Sequence, residues 1–143
     1  MLKVKDIMST PVFSLKETDS LHNARELMSL QRIRHIPIVT LDNEFTGLVT
    51  HRDILSATIS HLAELDEETQ KEIDLGIPIR EIMRTDITSV DGETSLKTAA
   101  EILLNHKYGC LPVADGGELV GIVTEADFLR LTISLMENLD TEN

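Results

Sequence analysis

The feature that most constrains the fold is a seven-residue segment that occurs twice. It reads Gly-Leu-Val-Thr-His-Arg-Asp at residues 47–53 and Gly-Ile-Val-Thr-Glu-Ala-Asp at residues 121–127. In both copies an apolar run ends in a threonine, and an aspartate follows three residues later. A short apolar run predicts a strand, and the Thr-x-x-Asp spacing is typical of a helix N-terminus. The sequence therefore predicts two equivalent strand-to-helix junctions.

The repetition extends beyond these junctions. Residues 4–39 align with residues 79–114 without a gap, and identical pairs include Met8 with Met83 and Pro37 with Pro112. Most other core pairs exchange Ile, Leu, Val and Met, which preserves pattern and approximate volume. We infer two copies of one repeat, the first over residues 1–62 and the second over residues 79–137, followed by a tail at residues 138–143.

Each repeat predicts a helical turn followed by the order strand, helix, strand, strand, helix. The turn lies at residues 4–8 or 79–83, and the first strand lies near residues 12–15 or 87–90. Asp19-Ser20 and Thr94-Ser95 are candidate N-caps of the next helix. Two strands follow at residues 36–39 and 44–50, or 111–114 and 118–124, and Gly116-Gly117 predicts a tight hairpin in the second repeat. Because one repeat alone is marginal in size, we expect an α+β fold whose two sheets pack together.

The segment between the repeats, residues 63–78, is rich in Asp and Glu. It predicts a solvated acidic helix that continues the preceding helix and ends near Gly76 and Pro78. Docking of a partner protein is the alternative that the sequence leaves open.

Composition excludes several classes of function. The net charge of -12 argues against a general nucleic-acid binder, and no apolar run is long enough to span a bilayer, so we expect a soluble cytoplasmic protein. Cys110 is the only cysteine, which excludes an intrachain disulfide and a thiolate metal cluster. The histidines lack metal-ligand spacing, and no nucleophile with an activating base is evident. We therefore expect neither a metal site nor an enzyme.

The two repeats together resemble a tandem pair of cystathionine β-synthase (CBS) domains. The resemblance rests on the Asp-Ile-Met and Glu-Ile-Met openings, the Ile-Pro-Ile-Val and Leu-Pro-Val strands, and both Gly-x-Val-Thr-x-x-Asp closings, all in family order. It covers nearly the whole chain. It implies two βαββα units related by pseudo-twofold symmetry, with packed sheets and two clefts between them. It also implies binding of an adenosine ligand such as AMP, ADP, ATP or S-adenosylmethionine, regulation of a partner protein, and frequently a homodimer.

The resemblance further implies that each cleft combines the Thr-x-x-Asp of one repeat with residues of the other. One predicted cleft contains Thr50, Asp53, Thr94, Ala99 and Val120. The other contains Thr124, Asp127, Asp19, Ala24 and Thr46. We rank the Asp53 cleft first for adenosine, because Asp19 places a negative charge where Thr94 offers a neutral hydroxyl. The capping function of Thr-x-x-Asp is compatible with ligand binding, since a helix start also presents N–H groups that favour phosphate.

Positive charge that could bind a phosphate is confined to the first repeat. His35 and Arg52, with Arg34 and His51, lie near the expected cleft, whereas the second repeat has Gly109, Cys110, Glu125 and Ala126 at the matching positions. Simple solvation of these cations is the alternative. The sequence thus predicts a regulatory adenosine-binding module with no required cofactor. The rival prediction is a ligand-independent interaction or oligomerisation module with vestigial clefts.

Overall fold

The computed structural model describes residues 1–59, 66–106 and 109–142, with the backbone alone at residues 58, 59 and 142. The helices are α1 (Val4–Ile7), α2 (Leu21–Gln31), α3 (His51–Ile59), α4 (Glu67–Leu75), α5 (Leu96–Asn105) and α6 (Glu125–Glu142), with a 3-10 helix at Ile79–Glu81. The strands are β1 (His35–Val39), β2 (Phe45–Thr50), β3 (Cys110–Asp115) and β4 (Glu118–Thr124). The predicted α+β class and the helix, strand, strand, helix order of each repeat are confirmed. None of the helices in the described ranges is both long and apolar enough to cross a bilayer.

The chain forms two compact units, and each takes its opening segment from the other repeat. We call Phe13–Ile87 the first unit, and Met1–Val12 with Thr88–Asn143 the second unit. The opening of the first repeat therefore packs with the body of the second, and the reverse also holds. The sequence repeats and the packing units therefore contain different residues. The predicted boundaries of the repeats stay a prediction.

The exchange uses the same backbone hydrogen bonds twice. In the second unit the Val4 N–H donates to the Thr94 carbonyl at 2.9 Å, and in the first unit the aligned Ile79 N–H donates to the Asp19 carbonyl at 2.8 Å. The side chains of Val4 and Ile79 are both fully buried, each in the core of the other repeat. Burying a Val or Ile side chain contributes about 1.5–3 kcal/mol, so each opening segment stabilises the unit that receives it.

Each unit contains a two-stranded antiparallel sheet, β1–β2 or β3–β4. The strand predicted near residues 12–15 is too long, because only Leu15 bridges to β1, accepting from the Val39 N–H and donating to the Pro37 carbonyl. The prediction for residues 87–90 is wrong in the same way, with Val90 forming one bridge to β3. Proline has no N–H, so Pro37 removes a donor from this edge and the parallel ladder stops after one bridge.

Both sheets carry a β-bulge at the same place. The register shifts after Ile38 in the first sheet and after Val113 in the second, which leaves Thr46 and Val120 without a cross-strand partner. A bulge re-aims a side chain and bends its strand, and bulges are frequent beside functional sites. Two residues that the family resemblance assigned to ligand binding are therefore the bulge residues of their sheets.

The acidic helix between the repeats begins anew. Asp66 has an extended backbone and caps α4 by accepting the Thr69 N–H at 2.7 Å. The prediction that this helix continues the preceding one is therefore wrong at Asp66, although the end at Gly76 is confirmed. The predicted helical positions at residues 60–65 lie outside the described residues. One acidic side chain of α4, Asp74, is buried and forms an ion pair with Arg25 of α2 at 2.6 Å, which fastens α4 to the first unit.

Candidate functional site

The first junction is a reciprocal helix cap. Thr50 ends β2, and Asp53 lies in the first turn of α3. The Asp53 Oδ2 atom accepts the Thr50 N–H at 2.9 Å and the Thr50 hydroxyl at 2.9 Å, while the Asp53 N–H donates to Thr50 Oγ1 at 3.2 Å. These bonds satisfy two N–H groups that the helix start would otherwise leave unpaired. The capping function predicted for this Thr-x-x-Asp is confirmed.

The other oxygen of Asp53 is held by an arginine. The Asp53 Oδ1 atom accepts from Arg84 Nε at 2.9 Å and lies 2.8 Å from Arg84 Nη2. The Asp53 side chain is only 9% exposed, whereas the Arg84 side chain is 42% exposed. Arg84 belongs to the opening segment of the second repeat, so the exchange of segments supplies the cation that neutralises Asp53.

The second junction repeats the part of the cap that the aspartate accepts, and its aspartate has different partners. Asp127 Oδ2 accepts the Thr124 N–H at 2.8 Å. Asp127 Oδ1 lies 3.2 Å from the Ser9 hydroxyl and 2.6 Å from Arg130 Nη2, and Arg130 belongs to the same helix, α6. Ser9 aligns with Arg84 between the repeats. The second unit therefore neutralises its aspartate from within its own helix, and the exchanged segment contributes a neutral hydroxyl.

A glycine in each junction permits the exchanged segment to approach. A Cβ added at Gly47 would lie 2.7 Å from the Arg84 carbonyl oxygen, and one added at Gly121 would lie 2.6 Å from Met8 Sδ. At Gly47 the obstacle is a backbone atom, so close backbone approach explains this glycine. At Gly121 the nearest atom belongs to the flexible side chain of Met8, which can move, and the Ser9 carbonyl oxygen lies at 3.3 Å. The sequence analysis included this glycine in the repeat and missed Arg84 and Ser9, since no local pattern indicates which segment crosses β2 or β4.

The remaining predicted site residues of the first unit lie in ordinary structural positions. The Asp19 carboxylate accepts the Lys16 N–H at 2.7 Å, and Ala24 is fully buried on α2. Thr46, in the bulge, donates its hydroxyl to the Ile38 carbonyl at 3.2 Å. All three share this unit with Thr50 and Asp53.

The matching residues of the second unit are placed in the same manner. Thr94 donates its hydroxyl to Asp91 Oδ1 at 3.2 Å, Ala99 is fully buried on α5, and the bulge residue Val120 is half-buried. The family resemblance joined these three residues with Thr50 and Asp53 in one cleft. That combination draws on both units and stays a prediction.

The predicted cations separate into two groups. His35 begins β1 and is paired across the sheet with Thr50, while Arg52 is an exposed residue in the first turn of α3. Arg34 and His51 instead line a cavity of about 440 Å³ in the first unit. Two further arginines that the sequence analysis did not consider, Arg25 and Arg32, line the same cavity.

Ionisation in the second unit argues against nucleophilic chemistry at its cysteine. Burial raises the pKa of the Cys110 thiol to about 12, so this thiol remains protonated at neutral pH. At the opening segment, hydrogen bonds from Lys3 and Lys5 lower the pKa of Glu93 to about 2. Among the described residues, no three His, Cys, Asp or Glu side chains converge as metal ligands.

The family assignment follows from these two junctions and from direct comparison. Residues 4–60 and residues 79–134 each match the family model of the CBS domain. The chain belongs to the CBS domain family and carries two such domains in tandem.

Three similar proteins place the chain within that family. It is 37% identical to a Vibrio cholerae protein whose crystal structure is described as that of an acetoin utilization protein (AcuB), with 98% of each chain covered and a TM-score of 0.85. It is 26% identical to the CBS domain pair of protein MJ0100, with 94% and 98% covered and a TM-score of 0.78. It is 30% identical to the CBS domain-containing protein YhcV of Bacillus subtilis, over 96% of this chain and 89% of that protein.

Other relatives are much longer. The chain spans 43% of the length of a 33.4 kDa protein of Thermofilum pendens, with 34% identity, and 32% of the length of a protein of Methanocaldococcus jannaschii, with 31% identity. The same domain pair thus occurs both in proteins of this length and as part of larger ones.

Proposed function

We propose that the chain is a regulatory module that binds an adenosine-containing ligand and changes the behaviour of a partner protein. The observation that carries this proposal is the duplicated Thr-x-x-Asp junction within a CBS pair. The similar pair of protein MJ0100 was crystallised in complex with 5′-methylthioadenosine and S-adenosyl-L-methionine, which supports an adenosine compound as the ligand class.

The chemistry of the first junction supports a role for Asp53 in holding a ribose. One carboxylate oxygen, Oδ2, serves the helix cap, and the other, Oδ1, contacts only the half-exposed Arg84 among the described hydrogen bonds. Two adjacent ribose hydroxyls are good donors to a carboxylate oxygen. A ligand that displaces the Arg84 guanidinium can therefore use Oδ1 while the cap stays intact.

We rank the junction at Asp53 above the one at Asp127 for this function. Asp127 Oδ1 is engaged by Ser9 and by Arg130, and its side chain is 4% exposed. A ligand there must displace two partners and leaves Glu125 beside any phosphate. We further propose that Thr94, Ala99 and Val120 complete the Asp53 cleft, and that Asp19, Ala24 and Thr46 complete the Asp127 cleft.

A second candidate function is a ligand-independent oligomerisation module, most simply a homodimer. It is favoured by an apolar stripe on α6, where Leu129, Ile133 and Met136 recur at helical spacing and are 55–64% exposed. A solution mass of a dimer, together with no response to any adenosine compound, would favour this second function.

Thermal unfolding in the presence of ligands tests the proposal. The panel contains 5′-methylthioadenosine, S-adenosylmethionine, AMP, ADP and ATP. A ligand at one hundred times its dissociation constant adds about 2.7 kcal/mol to the free energy of unfolding, which should raise the midpoint by roughly 5–10 °C. We expect Asp53→Ala to abolish the shift and Asp127→Ala to reduce it less, with Asp42→Ala, an exposed loop residue, as the matched control.

The panel has two outcomes that contradict the proposal. If no adenosine compound shifts the midpoint, the sensor function is wrong. If the shift survives Asp53→Ala and disappears with Asp127→Ala, the ranking of the two junctions is reversed.

A further inference from the structure

Groups of the protein itself take up the acceptor positions of the Asp53 carboxylate. An ionised carboxylate has about four such positions, two on each oxygen. The Thr50 N–H and the Thr50 hydroxyl both donate to Oδ2 at 2.9 Å. Arg84 places Nε at 2.9 Å and Nη2 at 2.8 Å from Oδ1. A ribose hydroxyl therefore reaches Oδ1 only when the guanidinium leaves it.

The side chain of Arg84 can leave while its backbone stays in place. The Arg84 N–H donates to the Leu48 carbonyl at 2.8 Å, and the Leu48 N–H donates to the Arg84 carbonyl at 2.9 Å. The side chain beyond this fixed backbone is 42% exposed, so water can hydrate a released guanidinium. The cap bonds between Thr50 and Asp53 do not involve Arg84. Displacement of the guanidinium thus breaks the ion pair and leaves both the cap and the backbone bridge in place.

The backbone bridge does not require an arginine at this position. Ser9, which aligns with Arg84, forms the same pair of backbone hydrogen bonds to β4 at 2.8 and 3.3 Å. Ser56 of the first unit aligns in turn with Arg130, which neutralises Asp127 from within α6. Each junction therefore has one arginine, and the frame accepts it either on the exchanged segment or on the helix. The charge of Arg84 acts on Asp53 and not on the bridge.

We propose that Arg84 is an internal competitor for the adenosine ligand, whose guanidinium holds the ribose-accepting oxygen of Asp53 and so lowers the affinity. This inference rests on the function proposed above and adds its regulation. A ligand that must break the ion pair loses the free energy of that pair. For a solvent-screened pair of about 1 kcal/mol, this lowers the affinity about fivefold. Removing the guanidinium should therefore destabilise the unliganded protein and tighten ligand binding, whereas an arginine with a purely structural role would not tighten binding.

Calorimetric titration of the full chain with 5′-methylthioadenosine, which is uncharged at neutral pH, tests the inference. We expect Arg84→Ala to bind about fivefold more tightly than wild type. Arg84→Lys, which keeps the charge, should fall between the two. The matched control is Arg80→Ala, because Arg80 is an exposed residue of the same opening segment and forms no ion pair with Asp53 within the part of the chain that the structure describes.

The salt dependence of the same titration isolates the competition. Raising the salt concentration from about 0.05 M to about 1 M should tighten binding to wild type by roughly two- to fivefold, because salt screens the competing ion pair. The same change should alter binding to Arg84→Ala by less than about twofold, since that variant has no pair to screen. Arg84→Ser, which introduces the residue that the second repeat carries at position 9, serves as the second variant and should also bind more tightly than wild type.

The outcomes separate this inference from the proposed function. If Asp53→Ala abolishes binding and Arg84→Ala leaves it unchanged or weakens it, the adenosine function stands and the competition is wrong. If Arg130→Ala tightens binding and Arg84→Ala does not, the inference is likewise overturned. If neither wild type nor Arg84→Ala binds the probe, the proposed function fails and the inference with it, whereas binding to Arg84→Ala alone supports both. Thermal unfolding of each variant without ligand checks that it is folded.

Discussion

Asp53 and Asp127 occupy the same position in their repeats, and each caps the helix that follows it, but different groups hold their outer oxygens. Asp53 receives a guanidinium from the exchanged segment through Arg84, whereas Asp127 receives a hydroxyl from that segment through Ser9 and a guanidinium from its own helix through Arg130. The backbone frame is duplicated and the charges around it are not. One repeated frame thus holds its aspartate with two different sets of neighbouring charges.

The largest difference between the two junctions is expected at their glycines. In Gly47→Ala the new methyl group meets a backbone carbonyl, that of Arg84, which is fixed by paired hydrogen bonds with Leu48 at 2.8 and 2.9 Å. In Gly121→Ala it meets mainly the flexible side chain of Met8, although the Ser9 carbonyl is also near, at 3.3 Å. Overpacking costs about 1–3 kcal/mol, and we expect the upper end for Gly47→Ala and the lower end for Gly121→Ala.

Chemical denaturation of both glycine variants measures this difference. The variants should shift the denaturant midpoint without changing the slope, since each remains a local clash. Equal destabilisation by the two substitutions would mean that Met8 is as rigid as the Arg84 backbone, and would remove the structural distinction between the junctions.

A smaller difference is expected when the exchanged side chains are truncated. Arg84→Ala removes an ion pair whose arginine is 42% exposed, so solvent screening limits the loss to about 1 kcal/mol. Ser9→Ala removes one hydroxyl bond of 3.2 Å, and Arg130 still compensates Asp127, so the loss should be about 0.5 kcal/mol. The free energy of unfolding of each variant, measured at about 0.05 M and about 1 M salt, distinguishes the loss of the ion pair in Arg84→Ala from the loss of the hydroxyl bond in Ser9→Ala.

The salt dependence provides the control for that experiment. The effect of Arg84→Ala should shrink in high salt, because an ion pair is screened, whereas the effect of Ser9→Ala should not change. If the cost of Arg84→Ala is independent of salt, the arginine acts through packing of its stem, and the charge comparison between the junctions fails.

The sequence predicted much of the fold because the repeat determines it locally. The periodicity of Leu21, Ala24 and Met28 indicated the buried face of α2, and the Gly116-Gly117 turn indicated the second hairpin. Bulges at Thr46 and Val120 follow from register, which no residue pattern marked in advance. The single-bridge strands at Leu15 and Val90 were overestimated, since apolar character indicates burial without fixing the length of a ladder.

The candidate site was predicted only where its contacts are local. Thr50 and Asp53 lie three residues apart, so their hydrogen bonds could be inferred from spacing. Arg84 reaches Asp53 from a distant segment of the chain. Aligning the repeats does not reveal this contact, because the alignment is the same whether the segment packs in the first unit or in the second unit. The cavity lined by Arg25 and Arg32 was missed for a similar reason, because a helix face and a loop meet there only after folding.

The smallest effect in this comparison concerns pH and the two opening segments. Lys3 and Lys5 of the first repeat's opening pair with Glu93 in the second unit, whereas the aligned residue in the first unit is Thr18, which has no acidic proton. Hydrogen bonds from the two lysines lower the pKa of Glu93 from 4.5 to about 2, and the bond from Lys3 has the larger effect. A carboxyl group whose pKa is lowered by folding stabilises the folded state at pH values above its ordinary pKa. That stabilisation is lost as the pH falls from 4.5 towards 2.

Glu93→Gln should therefore lower the thermal midpoint slightly near neutral pH, and the difference from wild type should vanish as the pH approaches about 2. The effect is small because Glu93 is exposed and its pairs are screened by solvent. In a background of Lys3→Ala with Lys5→Ala, the same substitution should have no further effect, since the partners act as one unit. A midpoint difference that stays constant down to pH 2, or that persists without the lysines, would show that Glu93 contributes to the second unit through something other than its charge.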